Sequence, residues 1–595
     1  MGVSEGPGRR EVLRGLGAAA LAPAVARAGS PPALRPRIRP GDPAWPSDAA
    51  WARLGEAVGG RLSKVELPTL DPANANELLH NPFWLRDQAA LTQAAGWTDA
   101  WNSTPSLWAV RAENAEDVAA SVRFAAAHNL RLVIKGGGHS YVGGCCAADS
   151  LLIWTRGMDG IEMHEVFTPE GGDGPGVPAV SLGSGCIWLH AYQTVSGGHG
   201  RYVQGGGCTT VGVAGLVQGG GFGSYSKGFG LAAASLIEAE LVTADGAIRV
   251  VNAHREPDLF WALKGGGGGA FGVATRLTLR THDLPEGFGI AQWTVKAQSE
   301  VAFRDLIEAF FTAYAERLCN PHWGEQVMFT PDRRMVVRMS CQGLTRDEAQ
   351  AAWSELIAFS SARQGDFKII EPLLVAVVPA RRQWDEALLA AVAPHAISRD
   401  TRPGASPTDY WWTGDGEQPW ITLHGYQSAW LPSHLLSPGA RDTLCDALVR
   451  ASRHWSVGLH FNKGLFGATP QTLAAAADSA INPQLLDAFA LAIIAGGGAS
   501  PLPGHPTPPQ MIELARKEEG RIRAAMAELK ACAPKAGSYM SECAFDLTDW
   551  KRAQWGDNAP RLEAIKRRYD PHGLFIIHHG VGSDAWSADG FTPLA

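Results

Sequence analysis

Apolar positions between residues 101 and 285 change their spacing every few residues, and each change marks an element. From Ala115 to His128 they recur at helical spacing, with Val118, Val122 and Ala125 on one stripe, which predicts an amphipathic helix. Residues 130–135 form a short apolar run that stops at three glycines, the pattern of a strand entering a tight turn. Residues 179–183 predict a second strand and 188–196 a helix. The runs 236–243 and 248–251 flank Asp245-Gly246, a hairpin turn sequence. Residues 258–263 are helical in spacing and lead through Gly265–Gly269 into a strand over 273–279.

Beyond residue 286 the glycine clusters disappear until 496. Helical patterns over 300–318, 345–361 and 440–454 alternate with strand patterns over 326–330, 335–340, 420–430 and 457–462, which predicts a second, α+β domain. In the run 420–430 strict alternation places Thr422, His424, Tyr426 and Ser428 on one face. A charged helix is expected over 559–568. The expected domains are therefore 61–285, an insertion over 286–540, and a C-terminal element over 541–595 that returns to the first. Residues 29–60, with prolines at 31, 32, 36, 40, 43 and 46, are expected to be an extended linker.

Composition narrows the function classes. A chain of 595 residues requires more than one core. Its net charge of −7, with no run of lysines and arginines, argues against a nucleic-acid partner. The nine cysteines show no Cys-x-x-Cys or Cys/His spacing, so no metal site is expected, and a chain with this much core needs no disulfide framework. At the N-terminus, Arg9-Arg10 precedes a weakly apolar stretch over 15–25 and then Ala26-Arg27-Ala28. That order predicts a twin-arginine signal over 1–28 and export of a folded bacterial protein to the periplasm or beyond. No other apolar run approaches the roughly 18 residues of a membrane span, so the mature chain, a monomer or homodimer, is expected to stay out of the bilayer.

Two glycine-rich loops carry the chemistry. In Lys135-Gly136-Gly137-Gly138-His139-Ser140 the backbone N–H groups can form a nest for a pyrophosphate, and His139 offers a ring nitrogen to whatever the nest holds. In the second loop Cys208 lies between Gly207 and Thr209-Thr210-Val211-Gly212, with Gly215 and Gly221 beyond, so a thiolate could reach the edge of a flat ring. Taken singly, a loop histidine also reads as polar surface and a lone cysteine as packing.

The order of motifs decides between these readings. Gly136-Gly-Gly-His139-Ser140, Cys208-Thr-Thr-Val211-Gly212, Gly219-Gly-Gly221-Phe-Gly223, Asp258-Leu-Phe-Trp-Ala-Leu-Lys264-Gly265 and Phe271-Gly-Val273 together resemble the FAD-binding domain of the vanillyl-alcohol oxidase / p-cresol methylhydroxylase superfamily. Arg567-Arg-Tyr569-Asp570-Pro571, with Phe575, resembles the C-terminal element of berberine bridge enzyme-like proteins. No strand–GxGxxG–helix fingerprint of a Rossmann domain is present.

The resemblance implies a two-part FAD-binding domain with an inserted α+β substrate domain built on an antiparallel sheet. It implies FAD held bicovalently, by His139 at the 8α-methyl and Cys208 at C6. Further FAD contacts are expected at Lys135, Gly136, Gly137, Gly138, Ser140, Gly207, Thr210, Val211, Gly212, Gly215, Gly221 and Val273. Val211 falls on the position that gates oxygen in the family. The implied reaction removes hydride from a C–H next to an alcohol, hemiacetal or amine of a carbohydrate, aromatic or secondary-metabolite substrate, and O₂ becomes H₂O₂. A flavin dehydrogenase with another acceptor, or a non-catalytic flavin-loaded binder, are the rival classes. Tyr426 is the candidate base, with His424 beside it and His579 from the tail; His460 and Asn462 are further candidates. The sequence departs from the family at Leu216, where a histidine is common, at Ala559, where a tyrosine is common, and at His578-His579, where plant members carry Gln-Ser.

Overall fold

The computed structural model describes residues 33–416 and 418–594; the arginine pair and the Ala-Arg-Ala of the expected signal lie outside them. Three sheets organise the chain. The first has four strands in the order Leu62–Lys64, Trp108–Arg111, Ser150–Trp154, Arg131–Lys135, the last three mutually parallel. Parallel neighbours need a crossover, and the helix Ala115–Ala127 supplies it between Trp108–Arg111 and Arg131–Lys135. Asn114 caps that helix by accepting from the Asp117 N–H, and Val118, Val122 and Ala125 form its buried stripe, as the spacing predicts.

The second sheet is antiparallel, with five strands in the order Ile248–Asn252, Leu236–Val242, Val273–Arg280, Val177–Gly183, Ile161–Phe167. Val118 and Val122 pack with Leu132, Val242 and Val273 in one core that joins the two sheets. The tail closes this half. Phe575 bridges in parallel to Leu132, and the buried Lys566 ammonium donates to the Ala270 and Phe575 carbonyls and to Asp570. The C-terminal element thus returns to the first domain.

The segment expected as a linker is packed instead. Ser47 caps a helix, Asp48–Ala57, whose Trp51 stacks on Trp108 at 5.0 Å. The Arg37 guanidinium is buried and donates to the carbonyls of Leu130 (2.8 Å) and Gly590 (3.0 Å). Prolines kept this stretch out of regular structure, but tryptophan and arginine anchors dock it.

The third sheet has nine strands, in the order Phe367–Pro379, Gly287–Ala297, Arg334–Gln342, Trp323–Phe329, Val457–His460, Ala488–Ala499, Ile421–Pro432, Gly96–Trp97, Trp101–Asn102. Helices Glu300–Ala313, Pro438–His454 and Pro509–Cys532 bury one face through Phe303, Phe310, Leu444, Leu448, Ile522 and Met526. The last two strands come from the first domain: Gly96–Trp97 pairs in parallel with Ile421–Pro432, so that domain also forms one edge of the inserted sheet. The expected helix over 345–361 is two, Arg346–Ala351 and Ser354–Ala362, and that over 300–318 turns π-helical at Tyr314. No helix among the described residues is long and apolar enough to cross a membrane.

Candidate functional site

The two glycine loops meet backbone to backbone. A Cβ on Gly137 would stand 2.5 Å from the Gly212 nitrogen and 3.1 Å from the Thr210 carbonyl oxygen, and one on Gly212 would stand 2.7 Å from the Gly137 nitrogen. Only glycine at both positions permits this approach. Gly138, at φ +79°, completes the turn, and its carbonyl accepts from the Gln93 N–H at 3.0 Å.

This convergence puts His139 and Cys208 in the lining of one cavity, with Gln93, Tyr141, Thr210 and Asp415. His139 Nε2 is hydrogen-bonded to the Thr210 hydroxyl at 3.1 Å, and among the described residues no protein group engages Nδ1. Burial holds the His139 pKa down to about 4, and Arg86 lowers it further, so the ring is neutral at neutral pH. Cys208 and Asp415 line the same cavity; burial first, and then the negative charge of Asp415, hold the Cys208 thiol well above the ordinary thiol range.

Unsatisfied polar atoms face the same cavity. The Gln93 Nε2 donates to the Pro82 carbonyl at 2.8 Å, which fixes the amide and leaves a buried Oε1 with no partner. The Thr209 hydroxyl is fully buried and also lacks one. Buried polar groups are seldom left unpaired without reason. Nothing stands within 4 Å of a Cβ built on Gly215, an exposed residue in the helix Val213–Gln218 that Gly212 begins. These features fit a polar, ring-bearing group such as FAD.

Other residues expected to contact the cofactor have different surroundings. The Lys135 ammonium is buried and donates to the carbonyls of Gln88, Ala89 and Leu91, so its side chain shapes the 88–91 loop and is not free to meet a phosphate. Burial lowers its pKa to about 8. Val273 is 1% exposed and packs in the core between the two sheets. Gly221 makes a left-handed turn (φ +73°) beneath Leu216 and Ala232. Ser140 accepts from the Gly144 N–H, and the exposed Gly207 accepts from the Trp412 indole at 3.0 Å. Gly136 lies 3.3 Å, measured from its built Cβ, from the Ser184 carbonyl oxygen. Val211 is half-buried against the core of the first domain.

On the substrate side the expected alternation fails at one residue. Strand Ile421–Pro432 pairs Leu423 with Gly497 and Gly425 with Gly496, so His424 is an extra residue in a bulge. The bulge reverses the phase. Tyr426 and Trp430 join Leu423, Phe222 and Leu231 on the face toward the glycine loops. Gly425, Ala429 and Leu431 face the long helix. His424 turns to that helix as well and bonds Glu518 through Nδ1 at 2.7 Å, so it does not share a face with Tyr426.

Tyr426 stands 5.2 Å, ring to ring, from the cavity residue Tyr141, with the Glu542 carboxylate near enough to act on its phenol. Burial, and then Glu542, push its pKa well up, so the phenol is protonated at neutral pH. Lys463 holds both Glu542 oxygens, at 2.5 and 2.6 Å. His460 and Asn462 belong to the strand Val457–His460, separated from Ile421–Pro432 by Ala488–Ala499, and to the turn after it; the Asn462 amide donates to the Gly223 carbonyl.

His578 and His579 do not point apart as an extended backbone would have them. His579 has φ +55°, and the rings lie 3.9 Å apart in a column that runs from Phe545 through both to Trp550. His579 Nδ1 is buried without a partner, and burial lowers that ring's pKa to about 3. The column does not line the cavity of His139 and Cys208. Among the described residues no group of His, Cys, Asp and Glu is arranged to hold a metal.

Sequence reasoning missed Asp415, Gln93, Tyr141 and Glu542, which no local motif marks. It also missed Glu325, a buried carboxyl at φ +67° that accepts from Ser224 and whose Oε1 lies 3.9 Å from a Cβ built on Gly207.

Known proteins agree with this architecture. Residues 107–252 match the family described as FAD binding domain, and residues 538–582 that described as berberine and berberine like. The VAO-type flavoprotein oxidase VAO615 of Thermothelomyces thermophilus is 26% identical over 591 residues, covering 93% of this chain and 94% of that protein. The crystal structure of the VAO-type flavoprotein MtVAO615 from Myceliophthora thermophila superposes with a TM-score of 0.73 at 23% identity, over 93% of this chain and 99% of that one. Glucooligosaccharide oxidase from Acremonium strictum, solved with a 6-S-cysteinyl, 8α-N1-histidyl FAD, gives a TM-score of 0.62 at 17% identity, over 89% and 99%. The chain is an FAD-linked oxidoreductase that carries a match to an FAD binding domain and to a berberine-like C-terminal element, and it is similar to VAO-type flavoproteins.

Proposed function

We propose that this oxidoreductase is an exported oxidase whose FAD is attached through both His139 and Cys208, and that it oxidises a C–H next to an alcohol, hemiacetal or amine. One observation carries the reading: two loops far apart in sequence bring these two side chains into one cavity. The Acremonium oxidase, which has this fold, carries the same pair of linkages. With Nε2 taken by Thr210, His139 has Nδ1 left for a bond, and the 8α-N1-histidyl linkage of that relative uses the corresponding nitrogen.

FAD held by His139 and Cys208 would supply the hydride acceptor and the route of the electrons to O₂. The chain supplies the proton path. Tyr426 takes the substrate's proton at its hydroxyl oxygen while its own proton moves to the Glu542 carboxylate, which Lys463 holds in place through both oxygens. Tyr141, Trp411 and Gln418 offer stacking and hydrogen-bonding surfaces suited to a sugar, aromatic or secondary-metabolite ring.

Anaerobic mixing with a panel of oligosaccharides, aromatic alcohols and polyketides tests this, followed by air. A substrate should bleach the flavin, and air should restore it with stoichiometric H₂O₂. Val211→Leu should slow the second step and leave the first. Bleaching that air does not reverse would contradict the oxidase reading in favour of a dehydrogenase. Export is tested by Arg9→Lys with Arg10→Lys, which should strand the protein in the cytoplasm; normal export would remove the twin-arginine assignment.

A further inference from the structure

We infer that Asp415 is the base that takes the Cys208 thiol proton when that cysteine bonds to the flavin, so that the chain builds its own second linkage. The inference rests on the bicovalent reading above. Its geometry stands apart from any family motif. Asp415 follows the short strand Tyr410–Trp412 and lines the same cavity as Cys208, close enough for its negative charge to act on the thiol. The buried, unpartnered Gln93 Oε1 and Thr209 hydroxyl face the same space and mark it as a place for a bound group.

Charge explains why a partner is needed. Ionising Cys208 to solvent would put a second negative charge beside Asp415 in a buried setting, and both burial and that charge oppose it. Transfer to Asp415 leaves the pair with one negative charge before and after, so neither penalty grows. Burial also raises the Asp415 pKa, which narrows the gap between donor and acceptor. His139 cannot serve, because its ring is engaged by Thr210 through Nε2 and its other nitrogen is needed for the flavin.

The step balances as follows. The Cys208 S–H bond breaks and its proton goes to Asp415. Sulfur forms a bond to flavin C6, and the C6–H proton is lost. The two electrons of that C–H bond remain on the flavin ring. One O₂ then takes two electrons and two protons to give H₂O₂ and restores the oxidised ring. The oxidant is the one the proposed oxidase reaction already uses.

The test is full-length protein produced in flavin-starved cells, then mixed with FAD in air and sampled over time. Peptide mass spectrometry reads the His139 and Cys208 linkages separately. In Asp415→Asn the His139 linkage should form, which also reports a folded site, while the Cys208 linkage slows by about 10²-fold or more at neutral pH. Raising the pH should speed it, because hydroxide can then take the thiol proton in place of the missing carboxylate. Asp415→Glu should retain the linkage at neutral pH, which guards against a variant that merely misfolds. A Cys208 linkage in Asp415→Asn at the wild-type rate overturns the inference and leaves the bicovalent reading standing. A wild-type protein whose Cys208 peptide stays free of flavin overturns that reading, and the inference with it.

Discussion

The cofactor loops and the substrate sheet solve opposite problems. In the loops, position comes from the absence of side chains: Gly137 and Gly212 touch through backbone, and the reactive residues lie within four positions of them. On the sheet, position comes from register. One extra residue, His424, decides which side chains of Ile421–Pro432 look at the flavin loops and which at the helix Pro509–Cys532. The first device is local and tolerates little change. The second is set by pairing with a strand about seventy residues away in sequence, and a single insertion rewrites it. A family that keeps one cofactor and varies its substrates would be served by this division.

The comparison can be broken on either side. The largest effect is expected from His139→Ala with Cys208→Ala, which should change flavin retention after denaturation from complete to none; each single variant should keep its flavin through the other residue. Next is Tyr426→Phe, which should lower kcat by about 10²–10⁴-fold with flavin content unchanged, because it removes the proton relay and not the cofactor. Loss of flavin in that variant would mean the two regions are not separable.

A smaller effect concerns acid. His282, in the first domain, is buried against Tyr202 and Phe229 and has its pKa lowered from 6.5 to about 4, first by burial and then by Arg280 and Arg201. The unfolded chain therefore binds protons that the folded one refuses between those values, and stability must fall as pH drops from 6.5 to about 4. His282→Gln should flatten that fall in a thermal-unfolding series; an unchanged slope would mean other groups dominate. The smallest effect is expected at the bulge. His424→Gln should cost about 1 kcal/mol of stability through the lost Glu518 bond and leave kcat almost untouched. A large loss of kcat would return His424 to the substrate face.

The same contrast explains what could be read from the sequence. The helix 115–127, the hairpin 236–252 and the two glycine loops carry their signals within a few residues, and the structure has these elements. The strand Ala488–Ala499 was missed because it is apolar on both faces and ends in three glycines, so no alternation marks it. The helix Pro509–Cys532 was missed because its polar residues outnumber the narrow stripe of Ala515, Ile522, Ala525, Met526 and Leu529 that it buries. Tyr426 was legible, but its separation from His424 was not, since a bulge leaves no mark in the residue pattern. Asp415 and Glu542 come from segments with no motif, and only the fold brings Asp415 to the cavity and Glu542 to Lys463 and Tyr426.

The central claim is that one flavin bridges His139 and Cys208. A proteolytic digest of the acid-denatured wild-type protein, read by mass spectrometry, tests it most directly. The account predicts a single species in which the peptide containing His139 and the peptide containing Cys208 are joined through one FAD, with no flavin in the acid supernatant. Free FAD in that supernatant, with both peptides at their unmodified masses, would contradict it.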